Sequence, residues 1–186
     1  LASADGDTWV VPDGLTNPIA TPVGGTFADP DLIYDDGTMY CIWGNWTTTN
    51  KFYISSSTDG VTWSAKQIIL DNLPVGIASP TIVKVGSTFY MYTGSNSNDL
   101  VRRGATNLAG PWSDPTTCYV YMKPTTIKHI DVIYADGRYY IYFGESALVG
   151  VSDDGLNWEG KTEPMYTGVK PAWSATMYRG SLVRTA

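Results

Sequence analysis

Three glycines, Gly44, Gly94 and Gly144, stand 50 residues apart and close three similar stretches of chain. The first runs from Asp29 through Pro30 and Asp31 to Gly44, the second from Ser79 through Pro80 to Gly94, and the third from Asp131 to Gly144. Each reads as a strand, a tight turn and a returning strand. The turns at Asp36-Gly37 and Asp136-Gly137 are strong hairpin signals, because the type I′ turn of a two-residue hairpin loop needs positive φ at both central positions. A second motif follows each hairpin: Ser57-Thr58-Asp59-Gly60-Val61-Thr62-Trp63, Ser152-Asp153-Asp154-Gly155-Leu156-Asn157-Trp158, and the variant Thr106-Asn107-Leu108-Ala109-Gly110-Pro111-Trp112. It reads as the turn between a third and a fourth strand, with Asp tying up turn amides and Gly supplying positive φ. Four strands in a unit of about 50 residues are the signature of a β-propeller. The constant interval argues against an ordinary sandwich of hairpins.

Composition agrees. The 186 residues include 7 Trp, 13 Tyr, 19 Gly and 11 Pro, so strand and turn formers dominate and the class is all-β. A net charge of −6 leaves no basic footprint for nucleic acid and disfavours anionic membranes. No apolar run approaches the roughly 18 residues of a spanning helix. Two cysteines, Cys41 and Cys118, are too few for a disulfide framework and read as buried small residues. A single histidine argues against a zinc site of Cys and His. No targeting segment is visible, and the low charge and high Trp, Tyr, Ser and Thr content lean towards an extracellular or periplasmic protein.

The ends of the chain look like halves of a further blade. Ser3-Ala4-Asp5-Gly6-Asp7-Thr8-Trp9 matches Ser57 to Trp63 at five of seven positions, and Ala175 to Ala186 resembles a strand-turn-strand piece. Residues 1–186 therefore read as one propeller domain, with three full blades plus a split fourth, or as a piece of a larger propeller. Unclosed blade edges would favour self-association into a homo-oligomer.

The order of these pieces, with Asn17-Pro18-Ile19, Phe27-Ala28-Asp29-Pro30-Asp31, Gly76-Ile77-Ala78-Ser79-Pro80 and Ile130-Asp131, resembles the five-bladed β-propeller glycoside hydrolases of family 43, the arabinanases, β-xylosidases and arabinofuranosidases. The resemblance implies inverting hydrolysis of arabinose- or xylose-containing oligo- or polysaccharide. It implies a general base at Asp29 and a pKa-tuning carboxylate at Asp131. By the 50-residue repeat, however, Asp131 matches Asp31, two residues on from Asp29. The family's general acid, a Glu opening the fourth blade, has its best match at Trp173-Ser174-Ala175-Thr176, where Ser174 cannot protonate a leaving group. Glu145, which returns to the same rim as Asp131, is the candidate replacement. Its plain alternative is a solvated loop carboxylate.

Other positions carry weaker expectations. Trp46 and Trp173 break the repeat and suit stacking on a sugar ring, where C–H faces meet the π-cloud. Asn45 lies at the corner equivalent to Glu145, and Asp31 reads as structural or sugar-binding. Asp5, Asp35, Asp36, Asp59, Asp136 and Asp154 read as turn residues, and Trp63, Trp112 and Trp158 as inter-blade core. His129 reads as a hydrogen-bonded rim residue. The resemblance leaves room for calcium in the central channel, to which one imidazole would contribute little because the ion prefers oxygen ligands. No cofactor is required. No Gly-x-Ser-x-Gly elbow supports a Ser/His/Asp hydrolase. Two functions stand: a glycoside hydrolase, and a non-catalytic or degenerate carbohydrate-binding propeller.

Overall fold

In the computed structural model the described residues are 2–16, 18–21, 25–46, 50–74, 76–94, 99–121, 127–160 and 182, with the backbone alone described at 46, 78 and 145. Three antiparallel blades follow one another. The first is β1 (Thr26–Asp35), β2 (Thr38–Trp46), β3 (Asn50–Ser57) and β4 (Gln67–Leu73). The second is β5 (Ala78–Val85), β6 (Thr88–Gly94), β7 (Leu100–Ala105) and β8 (Thr116–Tyr121). The third is β9 (Ile130–Ala135), β10 (Arg138–Phe143), β11 (Leu148–Ser152) and β12 (Asn157–Gly160), with a single 3-10 turn at Gly144–Ser146 between β10 and β11. The hairpin signals act as expected: Asp36 and Gly37, and again Asp136 and Gly137, all have positive φ.

The blades pack face to face. Between the first and second lie Ile42, Phe52 and Ile54 against Ile82, Phe89 and Met91. Between the second and third lie Val83, Tyr92 and Leu100 against Val132, Tyr139 and Trp158. Each such side chain, fully buried, contributes roughly 1.5–3 kcal/mol, so these two seams hold the blades together. Cys41 and Cys118 are buried and free, and burial pushes their thiols up to about 11 and about 12. Leu32 and Tyr34 on β1 are 68% and 70% exposed, whereas Ile82 and Val132, at Leu32's position in the next two blades, are 6% and 3% exposed because a preceding blade covers them.

The Ser-x-Asp-Gly turn repeats in detail. In two of the three copies Ser57 and Ser152 donate to Asp59 and Asp154 and accept from the amides of Gly60 and Gly155. The Asp then accepts two further amides, Val61 and Thr62 in one case and Leu156 and Asn157 in the other. Ser3 and Asp5 build the same turn at the start of the chain. The converging amide donors stabilise the carboxylate form, holding Asp5 and Asp59 down to about 2 and Asp154 well below the usual carboxylate range.

One expectation needs amending. Of the turn tryptophans only Trp158 is fully buried, while Trp112 packs partly buried against its seam and Trp63 is half-buried. The Trp63 indole donates to Gly60 O of its own turn at 3.2 Å, which ties the ring to the turn. The second and third blades are joined at their outer edges. Their outer strands β8 and β12 pair in parallel, Asn157 with Tyr119, Trp158 with Val120 and Glu159 with Tyr121, giving one sheet of eight strands. Each outer edge thereby covers the other.

Candidate active site

The 50-residue repeat brings Asp29, Ser79 and His129 to the same place in three successive blades. Asp29 and Ser79 lie among the first residues of β1 and β5 and His129 immediately precedes β9, and each has a left-handed backbone, with φ of 52°, 54° and 50°. Apart from Asn and Asp, side-chain-bearing residues rarely adopt this conformation unless the surroundings enforce it. In β1 and β5 the register against the neighbouring strand slips here, between Ala28 and Asp31 and between Ala78 and Thr81. A bulge of this kind bends the strand and re-aims a side chain. The three side chains converge. Ser79 Oγ donates to Asp29 Oδ2 at 2.9 Å, the His129 amide donates to Ser79 Oγ at 2.8 Å, and His129 Nδ1 lies 3.1 Å from Asp29 Oδ1. All three residues are buried.

This cluster is not a nucleophilic triad. In such a triad the serine proton faces imidazole, whereas the Ser79 hydroxyl faces Asp29. The carboxylate is the centre, and Ser79 and His129 fix its two oxygens.

Two residues further along lies a second ring. Asp31 Oδ2 accepts from the Ile82 amide at 2.8 Å, Thr81 Oγ1 from the Val132 amide at 3.2 Å, and Asp131 Oδ2 from the Leu182 amide at 2.6 Å. Asp31 and Thr81 thus latch their own blades to the first strand of the next, and Asp131 holds the Leu182 amide in the same way. Thr81 Oγ1 also donates to Asp131 Oδ1 at 3.3 Å. Leu182 is therefore bonded as Ile82 and Val132 are, which carries the 50-residue step to a fourth position.

The structure thus places Asp29 and His129 together and puts Asp31 and Asp131 in the latch ring. Replacing Asp131 by alanine strands the Leu182 amide and the Thr81 hydroxyl and should cost about 1–3 kcal/mol, while Asp131→Asn keeps an acceptor and should recover most of it. Thermal unfolding measures both. An unchanged Tm in Asp131→Ala, with a displaced pH–activity profile, would return Asp131 to the pKa-tuning role.

Asn45 is buried near the end of β2, opposite Phe27 and Lys51. The Glu145 backbone lies in the 3-10 turn, and the amide of its neighbour Gly144 donates to the His129 carbonyl at 3.2 Å, so this turn adjoins the Asp29–His129 pair. The side chains of Trp46 and Glu145 and all of Trp173 and Ser174 lie outside the described residues. Ser79 was not singled out by sequence reasoning. The signal available for it is its spacing, 50 residues from Asp29 and 50 from His129. Calcium takes six to eight oxygen ligands, and among the described residues no group of three or more His, Cys, Asp or Glu is placed to hold a metal. Among them, too, no helix is long and apolar enough to cross a membrane.

Solved structures share this architecture. The GH43 BlXynB protein from Bacillus licheniformis superposes with a TM-score of 0.64 at 18% identity, over 85% of this chain and 34% of that one. A putative glycoside hydrolase from Parabacteroides distasonis gives 0.64 at 17%, over 81% and 58%. CoXyl43, a GH43 β-xylosidase/α-arabinofuranosidase from a compost microbial metagenome, gives 0.61 at 16%, over 80% and 61%. The fold is that of the glycoside hydrolase β-propellers. This chain spans about a third of the first structure and about three-fifths of the other two. No protein-family model matches the sequence, and no curated protein does.

Proposed function

We propose that this chain carries the reaction centre of an inverting glycoside hydrolase acting on arabinose- or xylose-containing oligo- or polysaccharide. The observation that carries the reading is the buried Asp29 carboxylate, turned by a left-handed backbone onto Ser79 and His129 at the start of an innermost strand. Asp29 is the general base. Ser79 and His129 are positioning residues that fix the carboxylate's plane. Asp29 takes a proton from the water as its oxygen attacks the anomeric carbon on the face opposite the leaving group. A carboxylic acid about 6.5–9.5 Å away protonates the departing oxygen. Glu145, on the 3-10 turn beside His129, is the candidate in this chain. Asp131 acts at one remove, through the latch that holds the Leu182 amide.

Proton NMR of products released from a panel of arabino- and xylo-oligosaccharides tests the reading. The first-formed sugar should have the anomeric configuration opposite to that of the bond broken. Retained configuration, or no release from any member of the panel, would overturn it. The second outcome would favour a carbohydrate-binding propeller without catalysis.

A further inference from the structure

A concavity of about 700 Å³ lies away from Asp29, on the outer flank where β8 and β12 join. Its lining includes Arg138 and Asp153, which stand at the end of the third blade opposite His129, since β9 runs from His129 down to the turn before Arg138. The parallel pairing explains the surface. Tyr119 and Tyr121 are two residues apart on β8 and so share one face, about 7 Å apart. Their partners across the ladder are Asn157 and Glu159, which share the same face. The result is a grid with two phenol rings on one strand and an amide and a carboxylate on the next.

Both tyrosines are well exposed, at 64% and 58%, although the strand they stand on is anchored by the Tyr119 amide donating to Leu156 O at 2.8 Å. Rigid, exposed rings beside polar groups are what a sugar chain needs, because ring C–H faces stack on aromatics while hydroxyls bond to amides and carboxylates. The charges narrow the choice. The concavity holds one cation, Arg138, against Asp153, Asp154 and Glu159. Arg138 is paired with Asp153, and Asp154 is engaged by its own turn. With three carboxylates to one guanidinium the lining disfavours an anion, and Glu159, with the Asn157 amide that already gives one N–H to Asp154 Oδ2 at 2.7 Å, offers acceptors and a second N–H to a neutral polyol.

We propose that this flank is a second carbohydrate-binding site, a Tyr119–Tyr121 platform that holds a neutral polysaccharide away from the reaction centre. The choice of ligand rests on the carbohydrate reading above. The test is native gel electrophoresis in gels containing arabinan, arabinoxylan or mannan. Wild type should be retarded by at least one of them, and Asp29→Asn should be retarded equally. The double variant Tyr119→Ala/Tyr121→Ala should bind at least tenfold more weakly, while Tyr119→Phe/Tyr121→Phe should retain binding. Circular dichroism confirms that each variant is folded, which is expected because both side chains are exposed. Retardation of the alanine variant equal to wild type, or no retardation of wild type in any gel, overturns the platform. Tyrosine-dependent retardation without sugar release upholds the platform and removes the hydrolase reading. Sugar release with tyrosine-independent retardation removes the platform alone.

Discussion

Gly94→Ala is expected to destabilise the protein more than any other single methyl addition considered. Gly94 ends β6, and the chain crossing into the third blade passes directly over it. A Cβ there would lie 1.9 Å from the Ile127 carbonyl oxygen and 2.7 Å from its carbon. The obstruction is backbone, and Ile127 is itself fully buried in the seam between the second and third blades. Neither side can yield by rotating a side chain. Overpacking of this kind costs about 3 kcal/mol, which lowers Tm by roughly 6–12 °C in a domain of this size. Gly104→Ala on the neighbouring strand β7 is the control. Its Cβ would meet the Tyr90 ring at 3.6 Å and Thr88 Cγ2 at 3.8 Å, both ordinary contacts. Differential scanning calorimetry of the two variants should show a large loss for Gly94 and little change for Gly104. Equal Tm values would contradict the close crossing of Ile127 over Gly94.

The same glycine shows what the sequence makes legible. The interval between Gly44, Gly94 and Gly144 announces a repeat, and Asp36-Gly37 and Asp136-Gly137 announce hairpins, because both are local and periodic signals. The Ser-x-Asp-Gly turns are readable for the same reason, since their hydrogen bonds span at most three residues. The site is readable only in part. Asp29 stands out before Pro30, but Ser79 looks ordinary until it is aligned with Asp29 and His129, whose contacts cross 50 and 100 residues. Asp131 looks like a partner of Asp29 by family resemblance, yet its place in the repeat is that of Asp31, and its bonds are those of a latch. The β8–β12 pairing has no local signal at all. It joins two strands about 40 residues apart through three residue pairs, and nothing in Thr116–Tyr121 marks it as other than an ordinary outer strand.

The second large effect concerns Asp29. Asparagine is the fitting replacement because it tolerates the left-handed backbone that Asp29 adopts and keeps an oxygen to accept from Ser79. It cannot take a proton from water. Loss of a general base costs roughly 10²–10⁴-fold in rate, while the preserved shape should leave Tm nearly unchanged. The rate effect should fall on kcat, since the proton moves only in the transition state. The measurement to make is reducing-sugar release by wild type and Asp29→Asn on the best arabino- or xylo-oligosaccharide, with Tm determined for both. A fall in kcat of at least a hundredfold at equal Tm is the result expected of a general base. Equal turnover by the two proteins would contradict it and move the reaction centre away from Asp29.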